Sequence, residues 1–300
     1  MKAAYIVWAI VACLLWSTAF AAVKLGLEDY HKPLTFAGVR FMLAGLLLIP
    51  FWKGIRPACR SMATCYRGIL LTAFFNTFVL YALFFQGVNL VPGAIGAIIT
   101  GASPMIAAVM GHFLMPNEKL NRRKFIAIMI GVFGLILLTL RKGYPDQPAL
   151  PQLCGMLLLF LAGCSGIFGN IIVSRTSFPG AVNPLILNSV QLFLGGGGLL
   201  LTGLILEGPP ELLARNVTFY LALLWLSLIS SLAFSIWLNL LKQPEVKVSD
   251  LNQWKFLIPM FGAALSWLLL PDEKPAVNSL SGMALTGIAL FLYYRRPDNG

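Results

Sequence analysis

The sequence predicts an all-α polytopic membrane protein: ten transmembrane helices arranged as two inverted five-helix repeats, residues 1–142 and 150–296. Three observations predict it. Of 300 residues, 58% are hydrophobic and only 11% charged, with a mean hydropathy of +0.82. A soluble domain carries about 25% charged residues, so these charges are too few to coat a globule in water. Apolar runs long enough to cross ~30 Å of hydrocarbon recur ten times. Finally, the stretch PMIAAVMGHFLMPNEK at 104–119 returns as PMFGAALSWLLLPDEK at 259–274, identical at seven of sixteen positions.

The ten spans are predicted at 4–26, 34–52, 68–88, 92–114, 123–140, 152–173, 183–206, 218–241, 247–270 and 279–294. Lys2 before an apolar run, with Ala19-Phe20-Ala21 after it, imitates a signal peptide and its cleavage site. The many later runs make an uncleaved first span the better reading. With the N-terminus in the cytoplasm, the inner loops hold 14 Lys and Arg: Lys2, Lys53, Arg56, Arg60, Arg67, Lys119, Arg122, Arg123, Lys124, Arg175, Lys242, Lys247, Arg295 and Arg296. The outer loops hold six: Lys24, Lys32, Arg141, Lys142, Arg215 and Lys274. That bias puts both termini inside, in the cytoplasmic membrane, and comes mostly from the first half. The net charge of +11 is spread between apolar runs, so it reads as a topology signal and not as a nucleic-acid patch.

The repeat extends past the quoted stretch. Pro33-Leu34-Thr35-Phe36-Ala37-Gly38-Val39-Arg40 parallels Pro184-Leu185-Ile186-Leu187-Asn188-Ser189-Val190-Gln191. Five spans per repeat is an odd number, so the second copy must cross the membrane in the opposite sense. Glu118 then ends span 4 inside, and Glu273 ends span 9 outside. Inverted repeats are the plan of many secondary transporters, whose site lies near the midplane between the halves.

In order, Trp16-Ser17-Thr18-Ala19-Phe20, Pro33…Arg40-Phe41, Pro104…Glu118-Lys119-Leu120 and Pro259…Glu273 resemble an EamA-type member of the drug/metabolite transporter superfamily. The resemblance covers essentially the whole chain. It implies ten helices in two inverted repeats and a central cavity built mainly by spans 1, 3, 4, 6, 8 and 9. It also implies export or import of amino acids or other small metabolites; an exporter is the expectation for this chain. The sequence departs from the family pattern in span 7. There the counterpart of Arg40 is Gln191, followed by Gly195-Gly196-Gly197-Gly198.

Ionisable groups inside a span are expensive and point to function. Arg40 can fork a substrate carboxylate, or act as a clamp on the outer end of span 1 at Glu28 or Asp29 or on backbone carbonyls. Because the family pattern carries an Arg here across unlike substrates, the clamp is favoured. Lys255 has Leu251 and Pro259 at i±4, so no acid on its own helix can pair with it. It needs a substrate carboxylate or phosphate, cavity water, or an interface to snorkel to. Lys24 and His112 lie near span ends and read as interfacial. Asp and Glu occur only at or near span ends, so carboxylate-based proton coupling is not supported, and two embedded cations favour an anionic substrate.

Uncharged candidates for substrate contact are Trp16, Ser17, Asn76, Tyr81, Thr100, Ser165, Asn170, Ser235, Asn239, Asn252 and Trp254. Any one of them is more often helix–helix glue than ligand. Pro104 and Pro259 occupy matched places and are expected to bend spans 4 and 9, either as a hinge pair around a site or as static kinks. Glycines 93, 96, 101, 163, 166 and 169 give small faces for close helix approach, and packing is also the safer reading of 195–198.

The five cysteines lack metal spacing, and only His31 and His112 are present, with no HExxH or GxSxG. The expectation is therefore no enzyme, no cofactor and no metal. Partners are a small-molecule substrate and the lipid bilayer, without nucleic acid, in a monomer or homodimer. The competing reading is a non-transporting membrane protein or channel-like pore with a duplicated bundle.

Overall fold

The computed structural model describes residues 1–28, 30–52, 55–91, 96, 99–139, 149–175, 183–213, 215–269 and 277–294. Its α-helices, in chain order, are α1 (Ala3–Ser17), α2 (Ala19–Leu27), α3 (Pro33–Leu47), α4 (Ile55–Thr72), α5 (Leu80–Asn89), α6 (Ser103–Leu114), α7 (Arg122–Thr139), α8 (Ala149–Arg175), α9 (Pro184–Leu206), α10 (Val217–Leu241), α11 (Val248–Gln253), α12 (Leu257–Leu269) and α13 (Val277–Tyr294). Among the described residues, six helical stretches are long and apolar enough to cross a membrane: Ala3–Leu27, Pro33–Phe51, Cys65–Asn89, Leu150–Arg175, Pro184–Leu206 and Val217–Leu241. Ser103–Leu114 and Leu280–Tyr294 are shorter apolar helices.

Several predicted spans are broken, each for a local reason. Span 1 divides into α1 and α2 at Thr18. There the Ser17 and Thr18 hydroxyls donate to the Leu14 and Leu15 carbonyls at 2.7 and 2.8 Å. Such back-bonding competes with the helical ladder and bends it. Span 3 runs from α4 into a π-helical segment, Ala73–Val79, before α5. Span 9 is α11, a 3₁₀ turn at Trp254–Phe256, then α12. Pro259 has no N–H to give the carbonyl four residues earlier, which is that of Lys255, so the regular ladder fails there. Pro104 likewise lies in the first turn of α6, just after the non-helical Ala102. Both prolines therefore open the second piece of an interrupted helix.

Glycine sets the closest helix pairs. α3 runs antiparallel to α9: a Cβ on Gly38 would fall 2.5 Å from the Leu200 backbone nitrogen, one on Gly45 2.6 Å from the Ser189 carbonyl, and one on Gly203 2.6 Å from Thr35 Oγ1. α7 runs antiparallel to α13, with Gly134 facing Gly282 and Thr286. Lipid offers no hydrophobic drive between helices, so such backbone proximity and interhelical hydrogen bonds supply the adhesion. Within the 195–198 run, Gly195 meets Thr77, Gly196 meets Met42 and Gly198 meets Phe78, while Gly197 faces open space. α9 is continuous through that run. Around these pairs, α1 packs on α10 and α12, and α8 packs on α5 and α6. Leucines and phenylalanines such as Phe113, Phe133, Leu201, Leu221 and Phe291 face outward, as a bilayer requires.

Candidate functional site

A row of aromatic rings runs through the middle of the bundle with a cation at each end. Trp16 of α1 lies 5.1 Å from Trp237 and 5.3 Å from Phe234, both on α10. Phe234 is 6.4 Å from Phe41 of α3, and Phe41 is 4.5 Å from Tyr81 of α5. Lys255 stands at one end, its Nζ 4.9 Å from the Trp237 ring centre and 5.8 Å from that of Trp16. Arg40 stands at the other, 4.3 Å over Phe41 and 5.5 Å over Tyr81.

The two cations differ in what surrounds them. Arg40 is 5% exposed, and its Nε is buried without a hydrogen-bond partner. It joins no ion pair among the described residues, so the expected clamp to Glu28 is not formed. The guanidinium instead lies along ring faces, which take up part of its charge. Asp29 lies outside the described residues. Lys255 is half-buried in the 3₁₀ turn that interrupts span 9. Ring faces contribute about 0.5–2 kcal/mol each toward a cation, against a cost of about 2.5–3.5 kcal/mol for one at the bilayer centre. That roughly balances the charge. It leaves the ammonium N–H groups without an anionic oxygen. The buried Nε1 of Trp237 beside them also lacks a partner.

The segment carrying Lys255 is tightly tied. Cys13 Sγ donates to the Trp254 carbonyl at 3.2 Å, and the Trp254 indole stacks on Tyr294 at 5.1 Å. Asn170 Nδ2 reaches Asn252 Oδ1 at 3.4 Å, and Asn252 Nδ2 donates to Val248. Gln253 Nε2 donates to the Pro104 carbonyl at 3.2 Å, joining the two interrupted helices.

A second polar group is fully satisfied within itself. Asn76, in the π-helical segment, donates to Gln191 at 3.3 Å; Gln191 donates to Asn188 at 3.0 Å; Asn188 donates to Ser235 at 2.8 Å and to the Ser231 carbonyl. The Gln191 departure thus has a structural role. Ser165 donates to the Phe75 carbonyl at 2.7 Å and Thr100 to Gly96 at 2.8 Å.

Of the candidates, Trp16, Tyr81, Lys255 and Arg40 form the ring row or its ends, Trp254 adjoins Lys255 in the chain but stacks on Tyr294, and Asn170 bonds to Asn252 in the same interrupted span. Asn76 belongs to the amide chain, and Ser17 is tied to its own turn. Asn239 does not join the site. It is exposed, seven residues beyond the exposed Leu232, on the outer stripe of α10 that carries Leu221, Leu228 and Leu232. Helical phase, not membership of a span, decides which side chain faces inward. Trp237 and Phe234 were not among the candidates, although an i, i+3 aromatic pair on a span expected to line the cavity is a visible signal. Gly93 and Glu273 lie outside the described residues.

Polar ties close the ends. Glu118 accepts from the backbone N–H of Val248 at 2.6 Å and Ser249 at 2.8 Å. Glu207 accepts from the N–H of Leu34 and Thr35 and from Thr35 Oγ1, all at 2.8 Å. Lys124 pairs with Asp250 at 2.8 Å, and Lys32 with Glu211 at 3.0 Å. The Lys32 ammonium holds the exposed Glu211 carboxyl below its usual range.

The EamA-like transporter family matches residues 3–140. Protein PecM of Dickeya dadantii is 26% identical over 94% of this chain and 87% of its own length. The uncharacterized transporter YoaV of Bacillus subtilis is 23% identical over 93% and 92%. The uncharacterized inner membrane transporter YedA of Escherichia coli K12 is 26% identical over 70% and 66%. A solved crystal structure with 18% identity superposes with a TM-score of 0.79, covering 98% of this chain and 97% of the other, and so shares its fold. The chain is a multi-pass membrane protein.

Proposed function

We propose that the chain is a secondary transporter of the EamA-like kind, whose family model matches residues 3–140, moving a small metabolite with an anionic group by alternating access. The observation that carries this reading is Lys255. Its ammonium stands at a break in span 9, against Trp237 and Trp16, with no acidic partner among the described residues. A substrate carboxylate or phosphate supplies the oxygen acceptors that the rings cannot. The flat walls of Trp16 and Trp237 hold the apolar part of the same molecule.

The inverted repeat, 1–142 against 150–296, is supported by how helices pair. Spans 2 and 7, as α3 and α9, are counterparts and pack antiparallel, as do spans 5 and 10, as α7 and α13. The remaining contacts occur in matched sets. Span 1 on span 8 corresponds to span 6 on span 3, and span 1 on span 9 to span 6 on span 4. Two halves related this way can exchange conformations and turn one cavity from one face to the other. The loop charges support both termini in the cytoplasm and residence in the inner membrane.

The test is a counterflow screen with purified protein in liposomes, using amino acids, organic anions, phosphate esters and nucleobases. Saturable exchange of an anionic solute, lost in Lys255→Ala, is the expected result. Exchange confined to uncharged solutes, or equally fast in Lys255→Ala, overturns the assignment of Lys255. Non-saturating flux indicates a pore.

A further inference from the structure

The contacts between the two halves are of two kinds, and the difference assigns a role to Glu118. α3–α9 is closed along its length by glycines too tight for a Cβ (Gly38, Gly45, Gly196 and Gly203), and α7 meets α13 as closely at Gly134. These pairs cannot part at one end without disrupting the whole seam. α6 and α11 meet differently. α11 has six residues, is severed from α12 by the Trp254–Phe256 turn, and its N-cap Lys247 makes no side-chain cap bond. One helical turn or so is not stable by itself in isolation. Its first N–H groups are satisfied from the other half of the chain, by both carboxylate oxygens of Glu118.

Glu118 is 4% exposed, and the space that admits it is made by Gly111, where a Cβ would fall 2.7 Å from Glu118 Oε2. The same short helix is held at its outer side by Lys124, again from the first half, on Asp250. Tyr293 donates to the Asp250 carboxylate at 2.9 Å and Tyr294 to its carbonyl. Lys255 follows Val248 by seven residues, or ~10 Å of helical rise.

We propose that Glu118, assisted by Lys124, is the latch of a cytoplasmic gate formed by α11: bound, it seals Lys255 from the cytoplasm; released, it lets α11 swing on the 254–256 turn and opens the site inward. This rests on the transporter reading and the topology given with it. A buried carboxylate on two successive N–H groups makes a strong, directional closure that water can replace once the segment moves. The glycine-seamed pairs supply the fixed frame against which it moves.

Cys13 is a native reporter. It is buried, and its sulfur touches the Trp254 carbonyl behind the gate. Its labelling by a membrane-impermeant maleimide is measured in inverted vesicles carrying the full chain, read peptide by peptide so that the other cysteines do not interfere. Glu118→Gln should speed labelling of Cys13 roughly tenfold, the effect of losing one hydrogen bond to a charged group. Lys124→Gln should speed it in the same direction, and keeps the test available if Glu118→Gln does not fold. Glu207→Gln, which weakens a comparable cap on the seamed α3–α9 pair, should leave it unchanged. Unchanged labelling in both gate variants overturns the proposal. So does equal acceleration by Glu207→Gln, which would make Glu118 an ordinary stabilising cap. No substrate enters this assay, so a negative counterflow screen and a negative labelling result are separate failures.

Discussion

The Lys255 ammonium lies 4.9 Å from the centre of the Trp237 ring, in the turn where span 9 breaks. The cation is thus placed by a backbone discontinuity and faced by a side chain from another helix. Neither partner is an acid, so an anion that enters gains a full counter-charge and displaces no internal ion pair.

That geometry fixes the first expectation. Lys255→Gln keeps length and polarity but removes the charge, and should raise the half-saturating concentration of an anionic substrate roughly ten- to hundredfold. Lys255→Arg keeps charge and should retain much of the affinity. Counterflow over a substrate series measures both. Equal affinity in Lys255→Gln would place the anion elsewhere.

A second expectation concerns the α3–α9 seam. Gly38→Ala puts a methyl 2.5 Å from the Leu200 backbone, which cannot turn aside as a flexible side chain can. A loss of about 1–3 kcal/mol is expected from such overpacking. Gly197→Ala meets nothing within 4 Å and should be neutral or slightly stabilising. Thermal unfolding in detergent compares the two. An equal effect would mean that glycine acts here through backbone freedom and not through close approach.

The sequence makes the spans legible because lipid imposes one length and one polarity on every crossing element. The PMIAAVMGHFLMPNEK duplication and the Lys255 anomaly stand out for the same reason: a charge or a proline in a uniform background is conspicuous. Other features could not be read. The π-helical Ala73–Val79 segment leaves no periodic trace in seven residues, although Asn76 and Thr77 mark its polarity. Asn239 and Trp237 belong to the same helix two residues apart, yet only Trp237 faces the site. The weak amphipathicity of a helix that is apolar all round does not reveal its inner face. The pairing of Glu118 with Val248 spans 130 residues, and no local pattern encodes it.

The amide chain gives a third expectation. Gln191→Leu deprives Asn76 of its acceptor and Asn188 of its donor, in a region where Gln191 and Asn188 are fully buried. A loss of about 1–3 kcal/mol follows from leaving buried amides unpaired. Adding Asn76→Leu should restore part of it, because the orphaned partner is then removed as well. A double-mutant cycle on thermal stability reads the coupling, which for membrane helices averages about 0.6 kcal/mol. Strict additivity would mean that water already serves these groups.

The last expectation separates holding from gating at Glu207. Its carboxylate satisfies the first N–H groups of α3 and the Thr35 hydroxyl, and Gly203, four residues earlier, lets the helices approach closely enough for that reach. Because α3 and α9 are seamed along their length, losing this cap frays one end without separating the pair. Glu207→Gln should therefore lower the unfolding midpoint, by an amount equivalent to about 1–2 kcal/mol for a weakened cap. The half-saturating substrate concentration should stay within about twofold, since neither Leu34 nor Thr35 approaches Lys255, and 0.4 kcal/mol is roughly that factor. Unfolding in detergent and counterflow in liposomes give the two readings. A large change in substrate affinity with unaltered stability would mean that the outer end of the α3–α9 pair moves during transport, and the rigid frame would then have to be sought in α7–α13 alone.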